Sequence, residues 1–121
     1  MNSSQKKNLS VKNQKFSYSF RGKLWKNRGP GGWYFITLPK SVSNKIRKTH
    51  HVSEEGWGRL KTCATIGTTK WNTAIWYDTK AKSYLIPIKA LIRKKESIVE
   101  GVMVKVELEF ELDKWLLDII F

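Results

Sequence analysis

One stretch constrains this chain more than any other. In VMVKVELEFELD, Val102, Val104, Val106, Leu108, Phe110 and Leu112 alternate with Met103, Lys105, Glu107, Glu109, Glu111 and Asp113. A period of two sends successive side chains to opposite faces of a strand, so one face is apolar and the other charged. A helix would scatter the same residues around its axis and bury none of them well. A long strand with one wet face calls for antiparallel neighbours and a core on its dry side.

Those neighbours are visible upstream. Phe16, Tyr18, Phe20 and Leu24 alternate with Ser17, Ser19, Arg21 and Lys23, and WYFITLP forms a second strand that Pro39 stops. GWGRLKTCATIG and KWNTAIWY read as a third and fourth strand turned by Gly67, Thr68 and Thr69, and SYLIPI as a fifth, interrupted by Pro87. PKSVSNKIRK predicts a short helix with proline near its first position and Val42 and Ile46 on one face; KALIRKKE predicts a second. The fold class is all-β with two short helices. A length of 121 residues allows one domain with one modest core. Residues 1–15, polar and aperiodic, are expected to be a disordered basic arm; residues 16–113 form the barrel domain, and 114–121 an apolar C-terminal tail.

An internal echo sharpens the architecture. FITLPKSVSNKIRK followed by EGWGRLK parallels YLIPIKALIRKK followed by EGVMVKV, each running strand, proline, basic helix, Glu-Gly, strand. Two such halves about a pseudo-twofold close a small barrel and remove exposed edges.

The stretch WKNRGPGGWYF, Trp25 to Phe35, offers two readings. A phosphate cradle needs backbone amides converging at a helix N-terminus. Here a strand follows, and Pro30 removes a donor, so the stretch is a hairpin whose glycines supply positive φ. Trp25 and Trp33 are then expected to meet across the strand pair, with Lys26 and Arg28 free to touch an anion.

The positions Trp57, Gly58, Ala64, Ile66, Gly67 and Trp71, then Tyr84, Leu85, Pro87, Lys89, Arg93, Lys94 and Gly101, carry a resemblance. Over roughly residues 16–110 the chain resembles the bacterial domain-of-unknown-function family nineteen-oh-five. The resemblance implies a small closed barrel of the double-split or swapped-hairpin type, similar to those of AbrB and MazE, many of which bind DNA. The chain departs from the family pattern at Val102, where aspartate is usual, and adds KWLLDIIF past the usual end.

Charge narrows the function classes. The net charge is +13, with 12 basic residues and no acid in residues 1–53, and 7 acids against 2 basic residues in 96–121. Such a field attracts polyanions, DNA or RNA, or an anionic membrane surface. Lysine supplies 18 of the 23 cations, which suits solubility as well as recognition; the planar fork that reads phosphates is left to five arginines. No apolar run is long enough to cross a bilayer, and the lone Cys63 suits a reducing, cytoplasmic setting.

Catalysis has little to stand on. His50 and His51, adjacent in an expected loop, are read as solvated and make no zinc spacing with Cys63; no nucleophile has an identifiable base. No catalytic residue, metal or cofactor is expected. If Phe16, Phe20 and Leu24 face inward, Arg21, Lys23 and Trp25 project outward; if Leu60, Ala64 and Ile66 face inward, Trp57, Arg59 and Lys61 do the same. With Lys26, Arg28, Lys89, Arg93, Lys94 and Lys95 these form a basic–tryptophan face suited to nucleic acid. The alternatives are a pocket for a small anionic ligand lined by Trp71, Trp76 and Tyr84, or an oligomerising module whose apolar tail pairs two copies as a homodimer.

Overall fold

Six antiparallel strands close on themselves in the computed structural model, which describes residues 13–112. In chain order the elements are β1 (Gln14–Lys26), β2 (Tyr34–Thr37), α1 (Lys40–His50), β3 (Arg59–Ile66), β4 (Thr69–Asp78), β5 (Ser83–Pro87), α2 (Ala90–Lys95) and β6 (Met103–Leu112). Single 3-10 turns at His51–Ser53 and Gly56–Gly58 join α1 to β3. The barrel order is β1-β2-β5-β4-β3-β6, with β6 pairing back onto β1. The strand domain begins at Gln14, two residues inside the segment read as an arm. Residues 1–12, the tail and the homodimer assigned to it lie outside the described residues. Among the described residues no helix is long and apolar enough to cross a membrane.

The interior follows from the alternation. Phe20 and Leu24 of β1, Leu60, Ala64 and Ile66 of β3, Ile75 of β4, Ile86 of β5 and the inward series Val104 to Leu112 of β6 are buried. Each large aliphatic contributes roughly 1.5–3 kcal/mol when fully buried. Val102 precedes β6 and is exposed, so the inward series starts at Val104. Gly22 belongs to the inward set because a Cβ there would lie 2.4 Å from Ile36 Cγ2. Ile46 of α1 and Ile92 of α2 are buried against the core. Two of the buried hydroxyls are bonded to backbone: Ser43 Oγ accepts from Tyr84 N–H at 2.9 Å and Thr62 Oγ1 donates to Glu109 O at 2.8 Å.

The two-halves reading holds in the strand order, which is unchanged when β1, β2 and β3 are exchanged for β4, β5 and β6. Ile36 faces Ile86 where β2 meets β5, and Ala64 faces Leu108 where β3 meets β6. Leu38 N–H donates to Tyr84 O at 2.9 Å, and Ile88 N–H donates to Tyr34 O at 2.9 Å. These matched bonds make Leu38 the counterpart of Ile88. The prolines, aligned by the sequence echo, are therefore not equivalent: Pro39 caps α1 where Lys89 caps α2, and Pro87 pairs with Phe35 at the end of β5.

Candidate functional site

The expected basic–tryptophan face separates into cations that are free and cations that are engaged. On β1, Leu24 points inward, so Arg21, Lys23 and Trp25 point outward, the first two exposed. Across the β1–β6 ladder Arg21 faces Lys105 and Lys23 faces Met103. Trp25 is half-buried: its Nε1–H donates to Thr37 Oγ1 at 2.9 Å and its ring lies 5.2 Å from Phe35. The cross-strand partner of Trp25 is Phe35 rather than Trp33. Trp33 instead stacks on the Phe35 ring at 6.3 Å, so Phe35 stands between the two indoles.

Other predicted cations have structural partners. Lys26 Nζ lies 5.6 Å from the Tyr34 ring, and Arg28 pairs with Glu100 at 2.7 Å. Arg93 places its guanidinium 3.7 Å from the Tyr34 ring and donates to Ile88 O at 3.2 Å. Lys89, Lys94 and Lys95 are exposed, with no ion-pair partner among the described residues.

The outer face of β2, β5, β4 and β3 gathers apolar groups that no local sequence pattern places together. The hairpin loop after β1 closes through Asn27 N–H donating to Trp33 O at 2.7 Å, with Gly31 and Gly32 at positive φ. A Cβ on Gly31 would fall 2.7 Å from the Trp33 indole nitrogen, so glycine lets the indole lie against the loop. Trp33 is 59% exposed and Trp76 is 36% exposed. Both line an open groove of about 690 Å³, whose other walls include Ala74, Pro87, Arg59, Lys61, Glu109 and Glu111. Trp33 and Pro87 also border a second groove of about 270 Å³ with Trp71 and Lys89, and a third of about 440 Å³ with Phe35 and Leu85. Trp71 and Trp76 thus lie in different grooves, while Tyr84 is 0% exposed inside the barrel. The two grooves adjoin at Trp33, Asn72, Thr73 and Pro87, so of the three residues of the alternative pocket it is Tyr84 that lies away from the surface.

Trp57 stands apart from the strand that its alternation suggested. β3 begins at Arg59, and Trp57 sits in the preceding 3-10 turn at φ 67°, ψ 25°. Glu55 and Arg59 bridge around it: Glu55 N–H donates to Arg59 O at 2.7 Å, and Arg59 N–H donates to Glu55 O at 3.3 Å. The Arg59 guanidinium meets Glu55 Oε1 at 2.5 Å, and Lys61 Nζ lies 3.5 Å from Glu55 Oε2. Its hydrogen bond from Arg59 is the main reason the Glu55 carboxyl is held below its usual range. One carboxylate shared by two cations leaves that corner with a positive balance, and Arg59 also lies 5.8 Å from the Trp76 ring.

The adjacent histidines differ from each other. His51 is exposed, with Nδ1 2.8 Å from Arg47 O. His50, expected in a solvated loop, is 2% exposed at the end of α1, because Ser43, Ile46 and His50 share the helix face turned to the core. Among the described residues no group of three His, Cys, Asp or Glu is arranged to hold a metal.

A family model described as Domain of unknown function (DUF1905) matches residues 20–108, and the chain belongs to that family. No curated protein matches it.

Proposed function

We propose that this member of the family is a non-catalytic nucleic-acid-binding module of the cytoplasm, using the outer face around Trp33 and Trp76. The observation that carries the reading is the pair of exposed indoles on one groove, flanked by Arg59 and Lys61, in a chain of net charge +13. Exposed aromatic faces stack bases without regard to sequence, and neighbouring cations release counterions from phosphates. The groove is mixed in charge. Arg59 and Lys61 of β3 draw phosphates, whereas Glu109 and Glu111 of the adjoining β6 repel them and offer acceptors to base amino groups.

Fluorescence anisotropy with labelled single-stranded DNA, duplex DNA and RNA at two salt concentrations tests the reading. Binding should weaken steeply with salt yet keep a preference for one polymer at physiological ionic strength. The doubly reversed variant Arg59→Glu/Lys61→Glu should bind more weakly, with a log–log salt slope smaller by about 1 for each phosphate it no longer neutralises. Equal, weak binding to all three polymers that vanishes with salt would reduce the charge to non-specific attraction and defeat the proposal.

A further inference from the structure

We infer that Trp57 is a pre-positioned anchor that stacks on an unpaired base, a role that rests on the nucleic-acid reading above. The residue is 89% exposed, although an indole is among the most favourable groups to bury. Its backbone is left-handed at φ 67°, a conformation in which a Cβ crowds the chain. Bulky residues persist there only where the surroundings hold them.

The surroundings do hold it. The two-way backbone bridge and the ion pair between Glu55 and Arg59 close the five-residue loop whose tip is Trp57. Gly58, at φ 68°, presses on Tyr77 so closely that an added Cβ would sit 3.0 Å from Tyr77 Cβ. A loop stapled in this way loses little freedom when its tip engages a ligand.

The barrel's own symmetry shows that the fold does not ask for tryptophan here. The β3–β6 register, with Ala64 opposite Leu108, makes Gly101 the counterpart of Trp57. Gly101 has φ 93°, so both halves use a left-handed residue just before their last strand. The second half meets that need with glycine. The first half carries an indole instead, turned to solvent, two residues from the Arg59 that overlies Trp76. An indole at a loop tip reaches the face of a base only where the base is unstacked, which selects single strands over duplex.

The test measures binding of labelled oligothymidylate, an abasic oligodeoxynucleotide of equal length and a duplex to the full chain and to Trp57→Gly and Trp57→Phe. Trp57→Gly should weaken binding to oligothymidylate by roughly 5- to 150-fold, the span expected when one base is deprived of its stacking partner, with little change on the abasic strand. Trp57→Phe should recover part of that affinity. The melting temperature of Trp57→Gly should hold or rise, since glycine relieves the left-handed backbone, which separates missing stacking from misfolding. Unchanged oligothymidylate affinity overturns the anchor and leaves the nucleic-acid reading standing. An equal weakening on the abasic strand also overturns it, because that polymer has no base to stack. If the wild-type chain binds none of the three, the anchor and the nucleic-acid reading fall together.

Discussion

The half of the barrel running β1–β2–α1–β3 and the half running β4–β5–α2–β6 hold equivalent places in the strand order, yet their connections differ. The first hairpin spans residues 27–33 and the second 79–82; α1 has 11 residues and α2 has 6. Trp33 and Trp57 sit in the connections of the first half, and Trp76 lies on the strand they approach. The shared plan supplies the core, in paired positions such as Ile36 with Ile86 and Leu38 with Ile88. The departures supply exposed indole surface that a closed barrel does not need. Internal symmetry thus acts as a control, because what one half does without is not required for folding.

Tyr34 and Tyr84 make that control quantitative, since the matched backbone bonds place them as counterparts. Tyr84 is fully buried, meets Tyr77 edge-on at 5.1 Å, and donates its hydroxyl proton to Glu54 Oε2 at 2.5 Å. Burial first, and the Glu54 carboxylate second, push its ionisation up, so it remains a donor. Tyr34 is half-buried and carries the Arg93 guanidinium on its ring. Tyr84→Ala should lower stability by about 3–5 kcal/mol through the cavity and the orphaned acceptor, and Tyr34→Ala by less than about 2 kcal/mol. Urea denaturation of both variants measures the gap, and equal losses would break the claim that the halves differ in how they use the position.

Much of this fold was legible because a half-buried strand writes its inward face at every second residue. Leu60, Ala64 and Ile66, and Val104 through Leu112, show it without any partner in view. The hairpin at Trp25–Phe35 was legible from Gly31, Gly32 and the strand that follows. What stayed hidden was non-local. The nearness of Trp33 and Trp76 depends on β2 lying beside β5 and β5 beside β4, and no local pattern encodes the first of those pairings. The free arginines were over-counted for the same reason: Arg28 finds Glu100, and Arg93 finds Tyr34, across distant segments. His50 could have been found, since Ser43, Ile46 and His50 fall three and four residues apart, the spacing of one helix face.

That histidine gives the second contrast, for α1 buries an imidazole and α2 has none. Its ring stacks on Phe110 at 4.6 Å and meets Phe16 edge-on at 5.0 Å, while Nε2 lies 3.0 Å from the Tyr18 hydroxyl. Burial lowers its pKa from 6.5 to about 4. Between those values the unfolded chain binds a proton that the folded chain refuses. Stability is therefore complete above pH 6.5, declines as pH falls, and levels off for this group near pH 4. The full effect is on the order of 3 kcal/mol. Denaturation midpoints from about pH 8 to about pH 4 should fall more steeply for the wild-type chain than for His50→Phe. Parallel curves would mean that the carboxylates alone set the acid response.

The smallest expected effect bears on the left-handed position that the halves share. An added Cβ at Gly101 meets nothing within 4 Å, so Gly101→Ala changes the backbone preference and no packing. At φ 93° that change should destabilise the protein by about 1–2 kcal/mol, offset in part by the freedom glycine loses on folding. A measured loss near the lower end, about 1 kcal/mol, would set the scale of strain that the first half bears at Trp57. No loss would mean that this corner of the barrel accepts a Cβ freely. The left-handed backbone at Trp57 would then stop counting as a sign of function, and only the exposure of its indole would still need explaining.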